Sequence, residues 1–262
     1  MTQTPHYVLL GHITADVQAD QTLRAGGTVL YSARAAETLG MTVAVVTAGV
    51  PRFAQTALPV PHHVVPSAQT TTFENVYHGD RRTQYLRQRA DMLTPQAIPL
   101  AWRSAPILHY APVANEIVLA ETDSLHPQLL GLTIQGWLRA WDALGRVRFC
   151  EWQPPSHVCQ SQCVAVASIE DFAGDWQAVQ RLAGQFAQLV ITQAAGGATL
   201  FQHGVATHLP TQPVTATHPT GAGDVFATAL FLHFYQHADL LAATAHAHLV
   251  ATRHILGQPL SA

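Results

Sequence analysis

"THPTGAGDVFATAL" (residues 217–230) sets a proline, a run of small residues and an acid directly before an apolar, helix-forming segment. Glycine costs backbone entropy, so a loop this small needs a physical reason. Gly221, Ala222 and Gly223 carry no bulky side chains, so their N–H groups can point into one concavity. The dipole of the following helix adds positive potential at the same place. On these residues alone two readings stand. One is an anion site with Asp224 beside it. The other is a glycine-rich turn whose aspartate is a dipole-favoured acid worth about 0.3–1 kcal/mol.

Outward from this stretch the chain alternates strand and helix. Residues 7–13, 42–49, 106–113, 129–136, 163–168 and 188–195 read as strands, and 211–216 is strand-like. Helices are expected over 28–40, about 115–125, 137–145, the segment opening at Asp175, about 221–237 and 239–256. Such βα repeats predict a mostly parallel sheet covered by helices on both faces, a three-layer α/β/α sandwich, with ligands at the carboxyl ends of the strands. Residues 70–88 differ: two polar, β-rich arms flank "HGDRR", which predicts a hairpin in a sheet exposed on one face, as in a small β-lid. Residues 152–162 read as a surface loop.

Composition narrows the chemistry. All thirteen basic residues are arginines and the chain has no lysine, which excludes a Walker A loop, a protein-kinase site and Schiff-base catalysis. Any phosphate handling must rest on backbone amides, helix ends, arginine or metal. The net charge of −3 offers no basic field for nucleic acid or an anionic membrane. No apolar run reaches membrane-spanning length and the N-terminus lacks an export signature, while three cysteines suit reduced thiols, so a cytoplasmic protein is expected. Cys159 and Cys163 have no second pair with which to form a zinc site.

His218-Pro219-Thr220-Gly221-Ala222-Gly223-Asp224 before an apolar helix resembles the C-terminal signature of the ribokinase/PfkB carbohydrate kinases. "GHITADV" with Asp16, then "AGGTVLYSARAAETLG" with Gly26-Gly27 and Leu39-Gly40, resembles the family's N-terminal signature. "VITQAAGGATLF" is similar to its nucleotide-side strand and turn. Within the family, "TTTFENVY", "PVANEI", "LTIQGWLRAWD" and the final "GQP" look most like an inositol-kinase-like subgroup.

The resemblance implies one ribokinase-like domain over 1–262, with lid segments at about 14–25 and 70–90. It implies an ATP- and Mg²⁺-dependent kinase for a hydroxyl of a small sugar or polyol, a cyclitol such as inositol being the leading candidate. Asp224 would accept the hydroxyl proton, and the amides of Gly221, Ala222 and Gly223 would form the anion hole. Asp16, Gly26 and Gly27 would bind substrate hydroxyls. Thr192, Gly197 and Thr220 would face the nucleotide. Asp171, in Ser168-Ile169-Glu170-Asp171, would hold Mg²⁺ through water in place of the family's Asn-x-x-Glu. Arg82 and Arg87 read either as a solvated sheet edge or as arms reaching phosphate or substrate.

The chain departs from the family pattern at several points. His218 replaces an aspartate near a monovalent-cation site, so potassium activation does not carry over. Tyr31 replaces an asparagine after the Gly-Gly pair, Ser168 an amide and Ala194 a glycine. The other readings are a nucleoside kinase and a sugar- or nucleotide-binding sensor with little turnover. A dinucleotide oxidoreductase is disfavoured because no G-x-G-x-x-G follows the first strand. Both a monomer and a homodimer are open.

Overall fold

The computed structural model describes residues 4–79, 81–119, 125–159 and 162–260. Its elements run β1 (Tyr7–Leu10), β2 (Thr14–Val17), β3 (Leu23–Gly26), α1 (Thr28–Thr38), β4 (Val43–Gly49), α2 (Pro51–Ala57), β5 (His62–Pro66), β6 (Thr71–His78) and β7 (Arg81–Gln88). Then follow β8 (Ile107–Tyr110), β9 (Leu129–Thr133), β10 (Arg139–Trp141), β11 (Val147–Phe149), β12 (Cys163–Ser168), α3 (Trp176–Ala183) and β13 (Gln188–Thr192). The chain closes with β14 (Ala198–Gln202), β15 (Val205–Leu209), α4 (Ala222–His237) and α5 (Leu240–Ile255).

Nine strands form one sheet in the order β15-β14-β13-β12-β9-β8-β1-β4-β5. From β13 to β5 every pairing is parallel, and the hairpin β14–β15 extends the edge antiparallel. Alternate residues of the central strands enter two separate cores. Tyr7, Leu9, Val43 and Val45 pack with α1, α4 and α5, while Val8, Leu10, Ala44 and Val46 pack with α3 and the segments around it. Burial on both faces explains why these strands are continuous apolar runs. The result is a three-layer α/β/α sandwich. Gly131 of β9 lets the Phe231 ring of α4 lie against the sheet; a Cβ there would sit 2.6 Å from the ring.

The second helical layer is thinner than the sequence suggests. The helix expected near 115–125 does not form over 115–119, and residues 120–124 lie outside the described residues. Asn115 takes a left-handed φ of 51°, and Glu116 folds back onto backbone N–H groups, which together forbid a helical turn. Residues 137–145 are not a helix either. Asp142 Oδ1 accepts from the N–H groups of Leu144 and Arg146, and Gly145 takes φ 81° where a Cβ would sit 2.3 Å from the Leu86 carbonyl oxygen. Turn chemistry therefore overrides the four-residue spacing of Trp137 and Trp141, and the segment becomes the hairpin β10–β11. Trp137 is still core, stacked 4.5 Å from Trp152. That contact, with the burial of Val158, also draws part of the expected 152–162 surface loop inward. Residues 211–216 form no strand.

A separate four-stranded sheet has the order β3-β2-β6-β7. Its hairpin β6–β7 packs Phe73 and Leu86 on Val113 and Ala114. Asp80, in the quoted "HGDRR", lies outside the described residues. No described helix is long and apolar enough to cross a membrane.

Candidate active site

Gly221 is the N-cap of α4 at φ 81°, a conformation that favours glycine. A Cβ there would lie 2.5 Å from the Tyr31 ring, so helix α1 also requires this glycine. The preceding loop is tied to the end of α5. The N–H groups of Thr217 and His218 donate to the Ile255 carbonyl, and the Thr220 carbonyl bonds His254 Nε2 at 2.9 Å. Ala222 N–H donates to Pro219 at 3.2 Å, while among the described residues those of Gly221, Gly223 and Asp224 have no acceptor. Three amides at this helix mouth are thus available to an anion, and Ala222 is already engaged, unlike the set read from the sequence.

Asp224 stands in the first turn of α4. Its backbone carbonyl accepts from Thr228 Oγ1 at 2.8 Å and from Ser32 Oγ at 3.5 Å, which anchors it to its own helix and to α1. Burial raises the carboxyl from 3.8 to about 6, with Asp171 adding to the rise; the Thr28 hydroxyl bond and Arg139 oppose it. A carboxylate in this range is a competent proton acceptor near neutrality.

Two cavities meet at Asp224. The first, of about 540 Å³, is lined by Thr133, Arg148, Ser168, Asp171 and Thr192 among others. The second, of about 760 Å³, includes Asp16, Arg24, Tyr31, Asn75 and Thr220. Arg82, Gln84, Gln135, Arg139, Gly223 and Asp224 line both. Asp16 of β2 faces the second cavity; burial raises its carboxyl, against the pull of Arg24 and Arg82. Gly26 leaves room for the Asp16 carboxylate, whose Oδ2 would lie 2.4 Å from a Cβ there, and Gly27 at φ 94° opens α1.

Other sequence-derived candidates fall differently. Arg82 lines both cavities, whereas Arg87 lines neither: it pairs with Glu74 at 2.6 Å and donates to the Leu144 carbonyl. Thr192 faces the first cavity and Thr220 the second. Gly197 lines neither, because a Cβ would sit 2.2 Å from the Leu209 carbonyl; close packing of 209–211 explains this glycine. Asp171 closes a capping box with Ser168, accepting its N–H at 2.9 Å, so the serine that replaces the family's amide has a structural task. Burial raises the Asp171 carboxyl, chiefly against Arg139.

The sequence reading missed Thr28, Gln135 and Arg139. Arg139 donates to Gln135 Oε1 at 2.9 Å, and Gln135 Nε2 donates to Thr28 Oγ1 at 2.8 Å. Thr28 in turn lowers the Asp224 carboxyl, against the effect of its burial. The only available signal was "LTIQGWLRAWD" itself, which carries no periodicity of a site. Among the described residues no group of three or more His, Cys, Asp or Glu is placed to hold a metal ion. Asp171, flanked by Glu170 and hydroxyl groups, is an all-oxygen donor set. That suits Mg²⁺, which binds through one or two carboxylates, water and substrate phosphates.

The family profile described as "pfkB family carbohydrate kinase" matches residues 165–256. No curated protein sequence matches the chain. A sulfate complex of a pyrophosphate-dependent kinase in the ribokinase family aligns with TM-score 0.79 and 20% identity, covering 97% of each chain. A pyrophosphate-dependent kinase of that family, complexed with a pyrophosphate analogue and myo-inositol, aligns with TM-score 0.77 and 19% identity, over 95% of this chain and 94% of that one. Arabidopsis thaliana ribokinase with ribose and ATP aligns with TM-score 0.67 and 16% identity, over 97% and 93%.

Proposed function

We propose that this chain, a phosphotransferase of the ribokinase/PfkB carbohydrate-kinase family that acts on a hydroxyl group, phosphorylates a small cyclic polyol of the cyclitol class. The observation that carries the reading is the position of Asp224 at the helix mouth where the two cavities join. The second cavity takes the acceptor: Asp16, Asn75 and Gln84 offer the mixed acceptors and donors that vicinal diols need. The first takes the donor, its terminal phosphate against the free amides of Gly221, Gly223 and Asp224.

The step balances simply. The acceptor oxygen forms a bond to phosphorus and its proton goes to the Asp224 carboxylate. The bond from phosphorus to the donor's bridging oxygen breaks, and its electron pair leaves with that oxygen. Asp171 would hold Mg²⁺ through water, where the ion would neutralise phosphate charge. The four-stranded sheet serves as a lid that excludes water.

For the donor, the family resemblance suggests ATP, but inorganic pyrophosphate is the better fit to this cavity. Arg82, Arg139 and Arg148 all line it, a density of guanidinium suited to a compact polyanion without a base. The similarity to two structures of pyrophosphate-dependent kinases supports the same choice. The test is a matrix of donors, ATP against pyrophosphate, and acceptors, cyclitols against sugars and nucleosides, read as phosphorylated product. Transfer from ATP alone would overturn the donor assignment; no transfer to any polyol would sink the reading.

The pH profile follows from Asp224. Only the carboxylate accepts a proton, so kcat/KM is expected to rise with pH through about 6 and then level off. Thr28→Val deletes the hydrogen bond that holds the carboxyl down, so its acid limb should lie above that of the wild type. An unmoved limb would show that this bond does not tune the base.

A further inference from the structure

Arg139 opens β10 in the wall that the two cavities share. One guanidinium nitrogen donates to the Val113 carbonyl and another to Gln135 Oε1, each at 2.9 Å, and the group lies 5.7 Å from the Phe73 ring centre. None of these partners is charged. The ion pairs among the described residues belong to Arg87 and Arg181. Asp171, Glu116 and Asp224 act on Arg139 through space, without contact. A part-buried guanidinium that lines two cavities and is held only by neutral groups keeps its charge available to an anion. What enters these cavities, on the reading above, is a phosphoryl group.

Its hydrogen bonds also have a fixed direction. Arginine can only donate, so Gln135 Oε1 accepts and the Gln135 amide nitrogen must donate to Thr28 Oγ1. That leaves the Thr28 proton uncommitted to Gln135, and this hydroxyl lowers the Asp224 carboxyl. One polarised chain thus runs from the cation to Thr28, the hydroxyl that acts on the proton acceptor. Arg82, the other arginine on both cavities, is exposed on β7 and has no comparable anchorage among the described residues.

We propose that Arg139 is a catalytic residue: its guanidinium contacts the equatorial oxygens of the phosphoryl group as it passes from the donor cavity to the acceptor cavity, and Gln135 positions it there. The claim rests on the phosphotransferase reading. Arg139 keeps its charge throughout. It stabilises oxygens whose charge is spread over the group in flight, while Asp224 takes the acceptor's proton and the leaving oxygen takes the electron pair.

The test compares wild type, Arg139→Met, Arg139→Lys and Arg139→Ala, with pyrophosphate as the binding probe. Pyrophosphate should raise the melting temperature of the wild type but not of Arg139→Met. In the methionine variant kcat should fall by about 10²-fold or more, with the acceptor KM within about threefold of wild type. Added guanidinium at low millimolar concentration should restore part of the Arg139→Ala rate, which a purely structural role would not allow. A kcat within about threefold of wild type, or an intact pyrophosphate shift, would overturn the assignment. If Arg139→Met fails to fold, Arg139→Lys decides by the same readouts. Lysine cannot reproduce the planar fork, so a drop of about tenfold or more is expected and a wild-type rate refutes the proposal. If wild-type protein phosphorylates no acceptor, the phosphotransferase reading fails. The pyrophosphate shift still decides Arg139: its loss in the methionine variant supports the anion contact, and its retention rejects it.

Discussion

Replacement of Asp224 by asparagine is expected to lower kcat by at least about 10²-fold while leaving the protein folded. Asparagine keeps the shape and an oxygen for the Thr28 hydroxyl, and the bonds from Thr228 and Ser32 go to the backbone carbonyl, which the substitution does not touch. Only proton acceptance is lost. Stability should move the other way. Burial lifts the Asp224 carboxyl from 3.8 to about 6, so its folded state prefers the neutral form. The stability this group contributes is fully present below its unfolded value and is lost as pH rises through about 6. At pH 7.5 the asparagine variant should therefore melt at or above the wild-type temperature, and its advantage should vanish below about pH 4. A wild-type rate in the variant, or a large fall in its melting temperature at pH 7.5, would reject the role given to Asp224.

Glu116 governs the scaffold as Asp224 governs the reaction. Its side chain is fully buried and accepts from three backbone N–H groups: His12 at 3.0 Å, Val113 at 3.0 and 2.9 Å, and Ala114 at 2.7 Å. These groups lie in the loops that leave β1 and β8, so one carboxylate staples two strand ends beneath the cavities. Glu116→Leu leaves all three donors buried and unpaired, at about 1–3 kcal/mol each, which need not add. The expected loss is about 3–5 kcal/mol, a fall in melting temperature on the order of 10 °C. Glu116→Gln, which keeps one acceptor oxygen, should fall between. Thermal melts of the three proteins check this, and a leucine variant within about 2 °C of wild type would refute the staple.

Much of the framework was legible because it is local. Strands β1, β4, β12 and β13 are short apolar runs, α1 ends at a glycine in left-handed conformation, and α4 opens on its glycine loop. The errors share a cause. Trp137 and Trp141 have helical spacing, but the turn at Asp142–Gly145 and the approach of Gly136 to Pro112, where a Cβ would sit 2.3 Å from the carbonyl carbon, impose a hairpin. Asn115 stops a helix together with Glu116, which accepts from the N–H groups of Val113 and Ala114 beside it and of His12 in the loop after β1. Arg87 and Gly197 also have structural tasks that their positions in the sequence do not reveal, an ion pair with Glu74 and a close approach to the Leu209 carbonyl.

The sequence by itself determined the layered sheet and the small-residue helix mouth with its acid, since both follow from apolar periodicity and from backbone freedom within a few consecutive residues. Tertiary structure alone decided which arginine stands beside that acid. Arg139, Gln135 and Thr28 are separated by up to 111 residues along the chain, yet two hydrogen bonds, each under 3 Å, connect them. No local pattern encodes such a link, because the hydrogen-bond partners of a side chain depend on what the fold brings near it, not on its neighbours in the chain.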